Sequence, residues 1–151
     1  TTFTIQLPTT IKTVNLIEAT DQEQKIKSKD LRILVVDDDE DICDILDKSL
    51  SRSGHTVKTV DNGEEALGLI KSEKYDLVLT DMAMPDVSGH KIIKSLNEKE
   101  KRPKIGLITG WGKDLKCLDE EGMKVDFIIK KPFKLPELIK HINDLFSADS
   151  K

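Results

Sequence analysis

The sequence predicts an α/β protein built on a doubly wound sheet of five parallel strands. Short apolar runs, the first of them β-branched, alternate five times with stretches whose apolar residues recur at helical spacing. Continuous runs of that kind suit strands covered on both faces. Strict strand–helix alternation then implies parallel strands, right-handed crossovers and helices on both sides of the sheet.

The alternation starts at "LRILVV" (Leu31–Val36), the first strand, which stops at "DDDED". Ile42, Ile45, Leu46 and Leu50 follow at helical spacing, with Asp39 and Glu40 near the helix N-terminus and Gly54 as the stop. "HTVKTV" (His55–Val60) is the second strand. Asp61 or Asn62 can cap a helix through Ile70 that turns Ala66, Leu67 and Ile70 inward. "YDLVLT" is the third strand, and "GHKIIKSLNEKE" the third helix, with Ile92, Ile93 and Leu96 inward and a solvated, charged end at "NEKEKR". "KIGLIT" (Lys104–Thr109) is the fourth strand. The helix pattern of "KDLKCLDEEG" is the poorest of the five. "DFIIK" (Asp126–Lys130) is the fifth strand. "LPELIKHINDLF" closes the series, with Leu138, Ile142 and Leu145 on one face and Pro136 in the first turn, where proline is tolerated.

The remainder of the chain is of another kind. Phe3, Ile5 and Leu7 share a face in "TFTIQL", a strand ended by Pro8. Residues 9–30 are mixed and polar and read as a linker, with room for a short solvated helix. The 151 residues suit one domain with its own core, residues 31–147, followed by a short tail at 148–151. With 24 Lys and Arg against 28 Asp and Glu, net charge −4, a basic nucleic-acid surface is not expected. No run is long enough to span a membrane, and no signal-peptide pattern opens the chain. Cys43 and Cys117 lack metal-ligand spacing and read as cytoplasmic thiols, half-buried on their helices. His55, His90 and His141 are scattered and suggest no catalytic role.

In open parallel sheets the ligand site lies outside the carboxyl ends of the strands. Asp37 and Asp38 end the first strand, Asp81 the third, Thr109 the fourth, and Lys130 and Lys131, followed by Pro132, the fifth. Three carboxylates gathered in a cleft repel one another and raise each other's pKa. A hard divalent cation with oxygen ligands, Mg²⁺, holds them ionised. A lysine adds a point charge, worth about 4 kcal/mol per pair at ~4 Å before desolvation. The set fits phosphoryl transfer: an aspartate as nucleophile, a metal and an ammonium neutralising the transferred group, and the Thr109 hydroxyl bonding one of its oxygens. Taken alone, Asp81 reads as a turn residue, Asp37 and Asp38 as helix caps, Lys131 as a surface lysine and Thr109 as an ordinary strand residue. The shared rim favours the site, and leaves capping to Asp39.

The pieces "ILVVDDDED", "LVLTDMAMPDVSG", "LITGWG" and "KKPF", in this order, resemble a receiver domain of the two-component response regulators over Leu31–Phe146. The resemblance implies a flavodoxin-like receiver fold with strand order 2-1-3-4-5. It implies Asp81 as phosphoacceptor, Asp37 and Asp38 as the acidic pocket, and Mg²⁺ held by Asp38, Asp81 and the backbone carbonyl of Ala83. Lys131 would pair with the phosphoryl group, Thr109 would be the switch hydroxyl, and Lys131–Pro132 would be a cis peptide. The partners implied are a histidine kinase core and a phosphohistidine or histidine phosphotransfer protein. The phosphoryl group would then be passed on or hydrolysed, and the Trp111–Gly122 region would move on phosphorylation.

Some positions depart from the family. The Tyr or Phe usual three residues before the active-site lysine is Ile128 here, with Phe127 one place earlier. Gly110 stands where Ala is frequent. Trp111, between two glycines, reads equally as a packed lid or an exposed partner anchor. At the other end, "TTFTIQLP" resembles the last strand of a histidine-kinase ATP-binding domain. That implies a remnant of such a domain at residues 1–8 and a hybrid sensor kinase with this receiver at its C-terminal side; the absence of an initiating methionine fits a piece of a longer chain. The rival expectations are an unphosphorylated receiver-like interaction module, a stand-alone regulator, and a phosphoester hydrolase, for which neither a general acid–base nor a cap is visible.

Overall fold

A computed structural model of the protein describes residues 30–110 and 113–148. The strand expected at residues 2–7, the kinase-like remnant, nearly all of the linker, Trp111, the Cys117 side chain and residues 149–151 lie outside them.

Ten elements alternate in the described residues: β1 (Arg32–Val36), α1 (Glu40–Arg52), β2 (Thr56–Val60), α2 (Gly63–Ser72), β3 (Leu77–Asp81), α3 (Gly89–Asn97), β4 (Lys104–Thr109), α4 (Lys113–Glu120), β5 (Phe127–Lys130) and α5 (Leu135–Ala148). The strands form one sheet in the order β2-β1-β3-β4-β5, and every pairing is parallel. The expected strand order is the observed one.

Side-chain alternation along the strands divides the core in two. Ile33, Val35, Leu77, Leu79, Ile108 and Ile129 face α1 and α5, meeting Cys43, Leu46, Leu50, Leu138 and Ile142. Leu34, Val36, Val78, Ile105 and Leu107 face α2, α3 and α4, meeting Ala66, Ile70, Ile92, Ile93, Leu96 and Leu118. β1, β3 and β4 supply both faces, with β3 at the centre of the sheet.

The helix starts follow the polar residues. The Asp39 carboxylate accepts from Asp41 N–H at the head of α1, and the Asn62 side chain accepts from Glu65 N–H at the head of α2. Gly54 follows α1 with φ +93°, a backbone conformation open to glycine.

Three expectations fail in whole or in part. Ile45 is 51% exposed; the buried residues of α1 are Cys43, Leu46 and Leu50. The sheet touches the narrower stripe through 43, 46 and 50, and Ile45 lies just beyond its edge. The charged run at the end of α3 is also not simply solvated. Lys99 donates to the Ile70 carbonyl oxygen, Arg102 pairs with Asp126 at 3.1 Å, and Asn97 donates to the carbonyl oxygens of Ile93 and Lys124. Leu145, expected inward on α5, is only half-buried.

Candidate active site

Asp37, Asp81 and Lys131 continue the alternation of Ile33–Val35, Leu77–Leu79 and Ile129; Asp81 is the last residue of β3, and Asp37 and Lys131 lie one step past β1 and β5. Parallel pairing with β1 beside β3 brings the first two ends together. Lys131 Nζ then lies 2.9 Å from Asp37 Oδ2 and 3.3 Å from Asp81 Oδ2. The other oxygen of each carboxylate accepts a backbone N–H two residues on: Asp37 Oδ1 from Asp39 at 2.9 Å, Asp81 Oδ1 from Ala83 at 3.3 Å. Asp37 and Asp81 are 1% and 5% exposed, whereas Asp38 is exposed and has no hydrogen bond or ion pair among the described residues. Carboxylate oxygens of all three lie within 4.8 Å of one another.

Burial pushes the Asp37 carboxyl above its ordinary range, a rise that the Asp39 N–H and Lys131 only partly oppose. Burial pulls the Lys131 ammonium down, but the hydrogen bond and charge of Asp37, with the charge of Asp81, outweigh it and raise it above its ordinary value. Lys131 is therefore a fixed cation at neutral pH. One ammonium against three carboxylates leaves two negative charges at the rim when all three are ionised. The deficit, the hard oxygen donors and their spacing fit Mg²⁺.

Thr109 is buried at the end of β4, and its carbonyl oxygen accepts from Lys131 N–H at 2.8 Å. This bond ties the fourth strand end to the lysine, whose peptide to Pro132 is cis. Gly110, next in the chain, is exposed and open around its α-carbon.

The loop after Asp81 explains its proline–glycine composition. A Cβ at Gly89 would strike the Asp81 carbonyl oxygen, and Gly89 N–H donates to the Met82 carbonyl oxygen at 3.2 Å. The chain leaves Asp81, passes through Pro85 and returns close enough that only glycine fits. Met82, Met84 and Val87 are buried beneath the loop. Val87 occupies the space that a Cβ on Gly63 would need, which docks the loop on α2. The site therefore rests on a packed support.

The comparisons with known proteins agree with this fold. Residues 33–143 match the family described as the response regulator receiver domain. The chain belongs to that family. The receiver is 32% identical over 117 residues to the response regulator receiver protein CpdR of Brucella abortus, covering 78% of this chain and 98% of that protein. It is 33% identical over 119 residues to the response regulator SaeR of Staphylococcus epidermidis, covering 79% of this chain and 52% of SaeR, so it spans about half of that relative's length. Among solved structures it is similar to the response regulator TrrA of Thermotoga maritima, in complex with Mg²⁺–BeF (TM-score 0.67, 36% identity, 76% of this chain and 97% of that one). A two-component response regulator from Clostridium difficile superimposes with TM-score 0.71 at 27% identity, over 80% of this chain and 98% of that one. Membership makes this chain a receiver of two-component signalling.

Asp37, Asp38, Asp81 and Lys131 thus meet at one rim of the receiver, with Thr109 and Ala83 bonded into it. The aromatic that departs from the family pattern is also explained. Phe127 points to the α5 face, fills the space over Gly106 and stacks on His141 with ring centroids 5.4 Å apart. Ile128 turns to the other face and is 38% exposed. Strand alternation keeps Phe127 away from the Ile128 position. Cys43, whose Sγ–H donates to the Asp37 carbonyl oxygen at 3.3 Å, was expected only as a packing residue; burial pushes its thiol up to about 11, so it stays protonated. Among the described residues no helix is long and apolar enough to cross a membrane.

Proposed function

We propose that the receiver takes a phosphoryl group from a phosphohistidine onto Asp81 with the help of Mg²⁺. The observation that carries this reading is the under-neutralised cluster of Asp37, Asp38 and Asp81 around the single ammonium of Lys131. An Asp81 carboxylate oxygen attacks phosphorus; the P–N bond breaks and its electron pair returns to the imidazole. Lys131 exchanges its Asp81 contact for a phosphoryl oxygen and keeps its bond to Asp37. The Thr109 hydroxyl donates to another phosphoryl oxygen. Asp38, Asp81 and the Ala83 carbonyl, with Asp37 behind them, would hold Mg²⁺, which would supply positive charge against that of the transferred group.

The new anion biases a two-state equilibrium in α4 and the loop before it, through Thr109 and Lys131. α4 is the shortest helix of the five, at 8 residues. Amide exchange over 113–122 that ignores the phosphoryl state would count against this switch.

The deciding measurement is intact-protein mass after exposure to a small phosphodonor, with and without Mg²⁺, beside Asp81→Asn. One phosphoryl adduct that needs both the metal and Asp81 is expected. No adduct on folded protein under any condition would leave the interaction-module reading in its place.

The resemblance of "TTFTIQLP" supports a hybrid sensor kinase as the parent chain, with residues 9–30 as the linker into the receiver. A second reading, a stand-alone receiver in the cytoplasm, is favoured by the 98% coverage of CpdR. The mass of the native polypeptide in its own cells separates the two.

A further inference from the structure

At the opposite end of the sheet, a groove of about 600 Å³ runs beneath the amino ends of β3 and β4. Tyr75, Pro103 and Phe146 give it apolar walls, and five cationic side chains line it against three acidic ones. Most of these charges are engaged: Glu73 pairs with Arg32 and Lys58, Asp76 accepts from Arg32 N–H, Lys99 donates to the Ile70 carbonyl oxygen and Arg102 pairs with Asp126, while Glu100 is exposed. Lys74 and Lys101 are exposed and have no ion pair among the described residues. In a chain of net charge −4, this is a cationic, partly apolar surface.

The chain carries one segment of complementary character. In residues 14–23, "VNLIEATDQE", Val14, Leu16 and Ile17 stand beside Glu18, Asp21 and Glu23, with no basic residue among them. Its tether ends at the right place. Asp30 accepts from the Thr56 hydroxyl at the same end of the sheet, and Asp76, on the groove wall, bonds Arg32 two residues further on. Neighbouring strands stand about 5 Å apart, so the groove lies roughly 10 Å from the start of β1. The intervening residues 24–29 reach roughly 20 Å when extended.

We propose that residues 14–23 dock in this groove, with Leu16 and Ile17 against the Tyr75, Pro103 and Phe146 rings and the acids facing Lys74 and Lys101. The segment leading into the receiver is then held on the face opposite the phosphoryl chemistry, and the docking does not depend on that chemistry.

The test uses the full 151-residue chain with a photo-crosslinking amino acid at Leu16 and peptide mapping of the products. Crosslinks within one chain to residues 73–76 or 99–104 are expected. Lys74→Glu with Lys101→Glu should lower their yield about fivefold, the loss of two exposed ion pairs. Adding Glu18→Lys and Asp21→Lys should restore it. Crosslinks to another face, crosslinks only between two copies, no crosslinks, or a yield indifferent to these charges would each overturn the proposal.

Discussion

The two ends of the sheet use the same residue types to opposite effect. At the amino end, acids are bonded into the fold: Asp76 accepts from Arg32 N–H at 2.8 Å, Asp126 accepts from Ile105 N–H at 2.7 Å and holds Arg102, and Glu73 serves Arg32, Lys58 and the Tyr75 hydroxyl. At the carboxyl end, three acids crowd one lysine. One end closes the structure, and the other leaves charge to be satisfied by something from outside. The difference teaches that a strand-end aspartate acquires chemistry from the shortage of donors around it.

The sharpest break in this contrast is Lys131→Met. It leaves Asp37 and Asp81 buried without their cation, and metal-free stability should fall by about 3 kcal/mol in urea unfolding. Mg²⁺ should return part of that by mass action. A loss too small to measure would make Lys131 an ordinary surface lysine. Next comes Asp126→Ala, which strips the buried Ile105 N–H of its acceptor and Arg102 of its partner. It should cost about 2 kcal/mol, the same with or without Mg²⁺. Dependence of that cost on Mg²⁺ would erase the distinction between the ends.

Asp81→Asn has the opposite sign. It removes two repulsions against one attraction, that of Lys131, and keeps the Asp37–Lys131 bond, so metal-free stability should rise by about 1 kcal/mol. Equilibrium unfolding without metal checks this; a destabilised variant would show that the cluster is already balanced. The smallest effect is in acid. Glu73 titrates below its ordinary value, chiefly through the Tyr75 and Lys58 hydrogen bonds, so its contribution is present above pH ~4.5 and is lost as pH falls. Asp37 titrates above its ordinary 3.8, so it opposes folding near neutrality, and that opposition fades as pH falls through its raised value. Thermal melts from pH 6 to 3 should therefore decline less steeply in Glu73→Gln and more steeply in Asp37→Asn than in the parent chain. Identical slopes would remove the electrostatic difference between the two ends.

The carboxyl end was legible in the sequence because parallel topology supplies what local pattern lacks. Once five strands are read, their ends must share a rim, and Asp37, Asp81, Thr109 and Lys131 can be named by counting. The amino end was not legible. Arg102 finds Asp126, and Lys99 finds the Ile70 carbonyl oxygen, across 24 and 29 residues, pairings that no local periodicity encodes. Ile45 fits a helical count and still faces solvent, because the width of the buried stripe is decided by what packs on it. Gly89 was visible as a turn residue, but its reason, the nearness of the Asp81 carbonyl oxygen, exists only in three dimensions.

The Lys131 bridge also has a consequence in time. Its nitrogen joins residues 94 and 50 positions earlier in the chain. A ribosome delivers the acids first and the ammonium last. At about 10 residues per second, roughly five seconds separate Asp81 from Lys131. Throughout that interval the nascent chain carries its carboxylates without their internal counter-charge. The counter-charge to Asp37 and Asp81 therefore arrives only when the fifth strand does.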